Sequence, residues 1–171
     1  GYNCQRHAHS YYPDYLWDND ERIALNNQPP VPGRGQLKAN EDKLDPKNYE
    51  RFIGKDYAPD RILAAAKQFV TDNKDKPFFL YFPSVIPHLA LHIPDEELNA
   101  YEGQFEETPY PGGKGYTPHF KPRAAYAAMI TRLDRSVGEI IDLIDAYGLS
   151  DDTIVVFTSD NGATHSPIGG T

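Results

Sequence analysis

The 171 residues contain a single cysteine, Cys4. An internal disulfide is therefore excluded, and the thiol count says nothing of compartment. No apolar run approaches the ~18 residues of a membrane span. Cationic side chains are in deficit, with 17 Lys and Arg against 25 Asp and Glu, a formal net charge of -8 and a pI near 5.1. A general nucleic-acid binder would carry a basic footprint, so that class is set aside. No secretory signal leads the chain, whose first residues are polar and aromatic. It also opens without Met, and an upstream segment is expected. Internal repeats are absent.

Tyrosine and proline are abundant, at 12 and 15 residues. They predict long ordered loops with aromatic walls, of the kind carried by polysaccharide-active and ester-active enzymes. The 39% hydrophobic fraction can furnish the core of one ordinary globular domain.

Residues 1–56 read as a loop-rich segment. "GYNCQRHAHSYYPDYLW" has no clean period, and "NNQPPVPGRG" is turn chemistry with room for a short hairpin. Residues 57–171 read as helix, strand, loop, helix, strand. The first helix covers 57–73, with Asp60 as its cap and Ile62, Leu63, Ala66, Phe69 and Val70 on one face. "PFFLYFPSV" predicts a buried strand over 78–82. One helical turn is expected over 94–101. The longest helix covers 123–147, with Tyr126, Ile130, Leu133, Val137, Ile140, Ile141 and Ile144 as its core stripe and Gly148 as its stop. "TIVVFTSD" predicts a second buried strand over 153–158. Helices alternating with continuously apolar strands give an α/β fold with a mostly parallel sheet and flanking helices. Two strands cannot bury such faces by themselves, so the chain reads as a piece of a larger α/β domain.

In open α/β sheets, ligands sit beyond the carboxyl ends of the strands. Asp160 and Asn161 stand at such an end, ahead of Gly162. A carboxylate and a carboxamide are hard oxygen donors suited to Ca²⁺, with Mg²⁺ as the alternative. Taken alone, the three residues also read as a turn. His88 follows the other strand end and can donate to an anion or act as a general acid. By itself it also reads as an exposed or capping histidine. His92 lies four residues on, but the neighbouring prolines oppose a helical zinc pair. His7, His9 and His165 are candidates for a substrate pocket or, for His165, a metal's outer shell. His119 reads as structural or rim. Arg132, Asp134 and Arg135 read as ion-pairing residues of the long helix, and Cys4 as a small buried side chain.

"PFFLYFPSVIPH", "PRAAYAAMITRLDRSVGEIIDLI" and "DDTIVVFTSDNGATH" follow one another in an order and spacing that resemble the middle of a formylglycine-dependent sulfatase. The opening "GYNCQRHAHSYYPDYLW" resembles a loop of bacterial arylsulfatases of that family, which belongs to the alkaline-phosphatase-like superfamily. The resemblance spans nearly all of residues 1–171 and implies a central fragment of the catalytic domain. It implies hydrolysis of aryl or carbohydrate sulfate esters. It matches Asp160 and Asn161 to a pair of Ca²⁺ ligands and His88 to the histidine that touches the sulfate; His9 and His165 are taken as further substrate contacts. The family's nucleophile is a formylglycine made within a C-x-P-x-R or S-x-P-x-R sequence. No such sequence occurs here, and Cys4 precedes Gln5, Arg6 and His7 instead. Formylglycine is thus expected outside this chain, and the chain alone is expected to be inactive. A periplasmic or secreted location is the family expectation. Two alternatives stay open: a phosphatase or phosphonate monoester hydrolase of the same superfamily, and a non-catalytic relative that binds sulfated glycans.

Overall fold

A computed structural model describes residues 1–113 and 115–162. Its elements run in the order α1 (Gln5–Ala8), β1 (Tyr15–Asp18), β2 (Glu21–Ala24), a 3₁₀ helix (Pro46–Phe52), α2 (Ala58–Asn73), α3 (Asp95–Asn99), α4 (Pro122–Ala146) and a 3₁₀ turn (Ser150–Asp152). The hairpin of β1 and β2 is the one sheet among the described residues, antiparallel with Leu16 opposite Ile23. Its two-residue turn places Asn19 at φ 52°, a left-handed conformation that asparagine tolerates.

The main core is built from loops and is unusually phenolic. Tyr11, Tyr12, Tyr49, Tyr57 and Tyr110 pack with Phe52, Ile86, Leu91 and Ile93, and the cluster closes on Ala125, Ala128 and Met129 of α4. Buried phenols need partners, and these find backbone carbonyls: Tyr57 Oη donates to His92 O at 2.8 Å and Tyr49 Oη to Lys43 O at 2.9 Å. A second cluster joins Leu63, Ala66 and Val70 of α2 to Ile140 and Ile144 of α4.

Arg132 ties three helices together. Its guanidinium pairs with Asp60 of α2 and Glu97 of α3 and lies 5.5 Å from the Tyr57 ring centroid. The expectation of ion pairs on this helix is met, but Arg132 is buried and acts as a hub. Asp60 is drawn into this pair and does not cap α2, whose N-cap position is Tyr57 without a side-chain cap. The expected α4 stripe holds in part, with Ile140 and Ile144 buried and Tyr126 and Leu133 packed on the main core. Small residues, Ala125 and Ala128, meet the crowded phenols, while Ile130 and Ile141 are exposed. Close approach selects small side chains, and hydrophobicity alone does not reveal it. Gly148, at φ 67°, donates its N–H to Asp145 O at 2.8 Å and ends the helix as expected.

The two expected buried strands join no sheet among the described residues. Residues 78–82 nevertheless alternate as a strand does. Phe78, Leu80 and Phe82 lie on the α2–α4 cluster, while Phe79 and Tyr81 are 84% and 75% exposed. Residues 154–157 are exposed throughout, with Ile154 at 91%. A parallel strand is buried by neighbouring strands and by helices on both faces. Here one helix pair covers one face of one segment, so burial of both strands is not realised in this structure. Cys4 is likewise exposed and not buried, because it precedes the isolated turn of α1, which buries none of its own residues.

Candidate active site

Three loop segments meet around a trio of rings. The His9 and His88 centroids are 4.9 Å apart with the rings nearly perpendicular. Tyr116 lies 6.1 Å from His9, tilted by 27°, and 5.9 Å from His88. The structure thus joins His9 to His88, two residues singled out from sequence and separated by 79 positions. Tyr116 was not foreseen. Its flanking glycines, Gly112, Gly113 and Gly115, all at φ of 85–103°, mark a tightly shaped loop and were the one available signal.

Each histidine is held by its own backbone. His9 sits at the C-cap of α1, and its Nδ1 lies 2.6 Å from Gln5 O. His88 Nδ1 contacts Leu89 O. A carbonyl can only accept, so both imidazoles carry their proton on Nδ1, which leaves Nε2 for a ligand. His88 is exposed, yet its neighbours Ile86, Leu89, Ala90 and Leu91 are buried. The Tyr11 hydroxyl lies 2.9 Å from Val85 O and 2.7 Å from His88 O, one proton between two acceptors. Burial pushes the Tyr11 phenol well above its ordinary pKa, so it remains a donor. An exposed imidazole on an anchored backbone is the arrangement a positioned proton donor needs.

The third segment is closed by a backbone pair. Tyr110 N–H donates to His119 O at 2.9 Å and His119 N–H to Tyr110 O at 3.0 Å. Thr117 then reaches the 32–33 segment, with N–H to Gly33 O at 3.3 Å and its hydroxyl to Pro32 O. Gly33 in turn presses on the His9 backbone, where a Cβ would stand 1.9 Å from His9 O. Residues 32–33 are therefore a spacer between the His9 and Tyr116 loops.

His92 and His119 are structural. His92 is 3% exposed, among the rings of Tyr11 and Tyr12, and neither ring nitrogen has a partner among the described residues. Burial pushes its pKa down to about 3, with the nearby His119 adding to the effect. Burial likewise pushes His119 down to about 4, and its Nδ1 accepts the Lys121 N–H at 3.1 Å. His7 packs between Tyr2 and Tyr15 and does not join the ring trio.

Acid lability follows from the two depressed values. Between about pH 6.5 and pH 4 the unfolded chain takes up protons on His92 and His119 while the folded chain does not, so stability present above pH 6.5 is lost as pH falls. At pH 5 the expected loss relative to pH 7.5 is about 2 kcal/mol per histidine. Urea midpoints at the two pH values measure it. His92→Gln should roughly halve the pH dependence, and an unchanged slope would refute this origin.

Asp160 and Asn161 are exposed at the end of the second extended segment. Asn161 Nδ2 donates to Asp160 Oδ1 at 3.1 Å, and Ser159 Oγ donates to Asn161 O. Their oxygens are of the type a hard cation takes, but Ca²⁺ takes six to eight. Among the described residues no group of three His, Cys, Asp or Glu is placed to hold a metal. The pair therefore fits a cation by donor type and falls short by number. No hydrogen bond, ion pair or ring contact among the described residues joins it to the His9–His88–Tyr116 trio. His165 lies outside the described residues.

Among the described residues no helix is long and apolar enough to cross a membrane. The Sulfatase family model matches residues 6–170. An uncharacterized sulfatase of Schizosaccharomyces pombe is 29% identical over 162 residues, covering 74% of this chain and 29% of that protein. An N-acetylgalactosamine-6-O-sulfatase of Bacteroides thetaiotaomicron is 32% identical, covering 60% of this chain and 16% of its own length. A human N-sulphoglucosamine sulphohydrolase is 31% identical, covering 60% and 24%. The chain thus spans less than a third of the length of these curated relatives. The match over residues 6–170 takes in all three loops of the ring trio as well as Asp160 and Asn161, and it carries the alkaline-phosphatase-like α/β fold with it: the chain belongs to the sulfatase family.

Proposed function

We propose that the protein hydrolyses sulfate esters of aryl or carbohydrate alcohols, with His88 as the residue of this chain that meets the sulfate. The observation that carries this reading is the geometry of His88, an exposed imidazole with Nδ1 committed to a carbonyl, on a backbone pinned by Tyr11. When protonated, its Nε2–H donates to an oxygen of the sulfate. As the S–O bond to the alcohol breaks, the leaving oxygen gains the electron pair and takes the Nε2 proton, so the alcohol departs neutral. His9, edge-on to His88, holds the imidazole's orientation and offers its own Nε2 to the substrate.

The nucleophile is assigned to a group outside residues 1–171, and the metal's ligands to this chain only in part. Residues 1–171 contain no C-x-P-x-R or S-x-P-x-R sequence. A formylglycine nucleophile is proposed from elsewhere, and these residues by themselves are proposed to be inactive. Asp160 and Asn161 are proposed as two of the oxygen ligands of a Ca²⁺ or Mg²⁺ ion, whose charge would favour sulfate binding. A periplasmic or secreted location fits the same reading.

The test is the full-length protein with 4-nitrophenyl sulfate and 4-nitrophenyl phosphate side by side. Preferential sulfate release is expected. Preference for the phosphate would move the protein to the phosphatase branch of the superfamily. Binding of sulfated sugars with turnover of neither ester would make it a binder.

A further inference from the structure

We infer that Tyr11 and Tyr57 are positioning residues of this site, two stacked and buried phenols whose hydroxyls set where the backbone of His88 stands. They act on the reaction without touching the substrate. The inference rests on the proton-donor reading of His88 given above and extends it to the groups behind that imidazole.

The His88 loop has no regular structure to hold it. Between α2 and α3, residues 74–94 form no helix or strand. Backbone hydrogen bonds donated by residues 83–93 stay local: Ser84 N–H to Phe82 O at 3.0 Å, His88 N–H to Val85 O at 2.8 Å and His92 N–H to Ala90 O at 3.0 Å. Such bonds shape turns but do not fix where a loop stands against the core. Tyr11 and Tyr57 reach in from elsewhere. The Tyr11 hydroxyl meets Val85 O at 2.9 Å and His88 O at 2.7 Å, the carbonyls at the two ends of the turn that carries His88. Tyr57 Oη donates to His92 O at 2.8 Å, four residues further on.

The two phenols form one unit. Their ring centroids are 5.7 Å apart with 12° between the planes, and the residues are 0% and 3% exposed. Their segments are joined through the backbone as well, because Ala58 N–H, next to Tyr57, donates to Tyr11 O at 2.9 Å. Packed rings hold their hydroxyls still, and a loop hung from them inherits that order. A reacting group must stand within about 0.5 Å of its productive geometry, and an error of about 1 Å can cost about 10²-fold. A purely apolar core would be served as well by phenylalanine at both positions; the hydroxyls aimed at the His88 loop are what a positioning role adds.

The test deletes one hydroxyl at a time in the full-length protein and reads the ratio of kcat for phenyl sulfate to kcat for 4-nitrophenyl sulfate. The two esters share a ring and differ in how far the leaving oxygen needs a proton. A ratio taken on one preparation is independent of the folded fraction. His88→Ala should lower it most. Tyr11→Phe is expected to lower it about 10-fold, and Tyr57→Phe, which acts on the far end of the loop, about 3-fold. Tyr49→Phe is the control. It removes a phenol–carbonyl bond of the same core, to Lys43 O at 2.9 Å, and should leave the ratio unchanged. An unchanged ratio in Tyr11→Phe or in Tyr57→Phe, while His88→Ala lowers it, would overturn the inference and keep the reading of His88. An equal fall in Tyr49→Phe would also overturn it, since that marks a general loosening of the core. An unchanged ratio in His88→Ala would remove the proton-donor reading, and the inference with it.

Discussion

Replacing His88 by alanine is expected to lower kcat of the full-length protein on sulfate esters by about 10²- to 10⁴-fold, the range for loss of a positioned proton donor. The loss should depend on the leaving group. A nitrophenolate departs without help, so 4-nitrophenyl sulfate should suffer the smaller fall. An aliphatic or sugar alcohol needs the proton and should suffer the larger. Stability should hardly change, because the side chain is exposed and its anchors, Ile86 and Leu89, remain buried. Comparing kcat for the two leaving-group classes, alongside thermal unfolding of wild type and variant, checks this. An equal fall on both classes would limit His88 to holding the anion. A change under threefold on both would remove it from the reaction.

The second large effect is expected at a residue with no side chain. Gly33→Ala places a methyl group 1.9 Å from His9 O and 2.3 Å from His9 C, so backbone must move against backbone. Overpacking of this kind costs about 1–3 kcal/mol, and the strain falls on the spacer between the two ring-bearing loops. Stability should fall by that amount, and KM for sulfate esters should rise several-fold as His9 and Tyr116 separate. Gly138→Ala is the control. It lies within α4 with nothing within 4 Å of its added Cβ, and it should gain about 0.5–1 kcal/mol from helix propensity alone. Urea denaturation of both variants, with KM for the first, is the measurement. Equal stability of the two would show that the contact at Gly33 relaxes freely.

Much of the local structure was legible in the chain. Periodicity placed α2 and α4 within a residue or two of their ends, and Gly148 marked the stop of the longer helix. What periodicity could not show was the partner of each face. Arg132 reads as an ion-pairing residue, but its partners, Asp60 and Glu97, appear only when α2 and α3 are brought to it. The α4 stripe reads as isoleucine until a phenolic core demands alanine. The apolar strands were read as buried, but burial is a property of the whole sheet, and no neighbouring strand stands among the described residues. At the site, the chemistry of His88 and His9 was legible and their meeting was not, because 79 positions, with the hairpin and α2 among them, separate them. Tyr116 had only its flanking glycines as a signal, and the closure of its loop by Tyr110 and His119 brings it to the histidines.

The shared proton of Tyr11 has a consequence for how such a protein can diversify. One phenol in the first loop reaches the carbonyls of both Val85 and His88, so the first loop and the His88 loop are tied through a single hydroxyl. Among the described residues, no hydrogen bond ties the exposed stretches around residues 38–48 and 102–107 to the His88 loop. Insertions and substitutions there can alter those loops without disturbing the backbone that carries His88. Freedom to vary in the outer loops is thereby separated from constraint on the His88 backbone, and one buried hydroxyl marks the boundary.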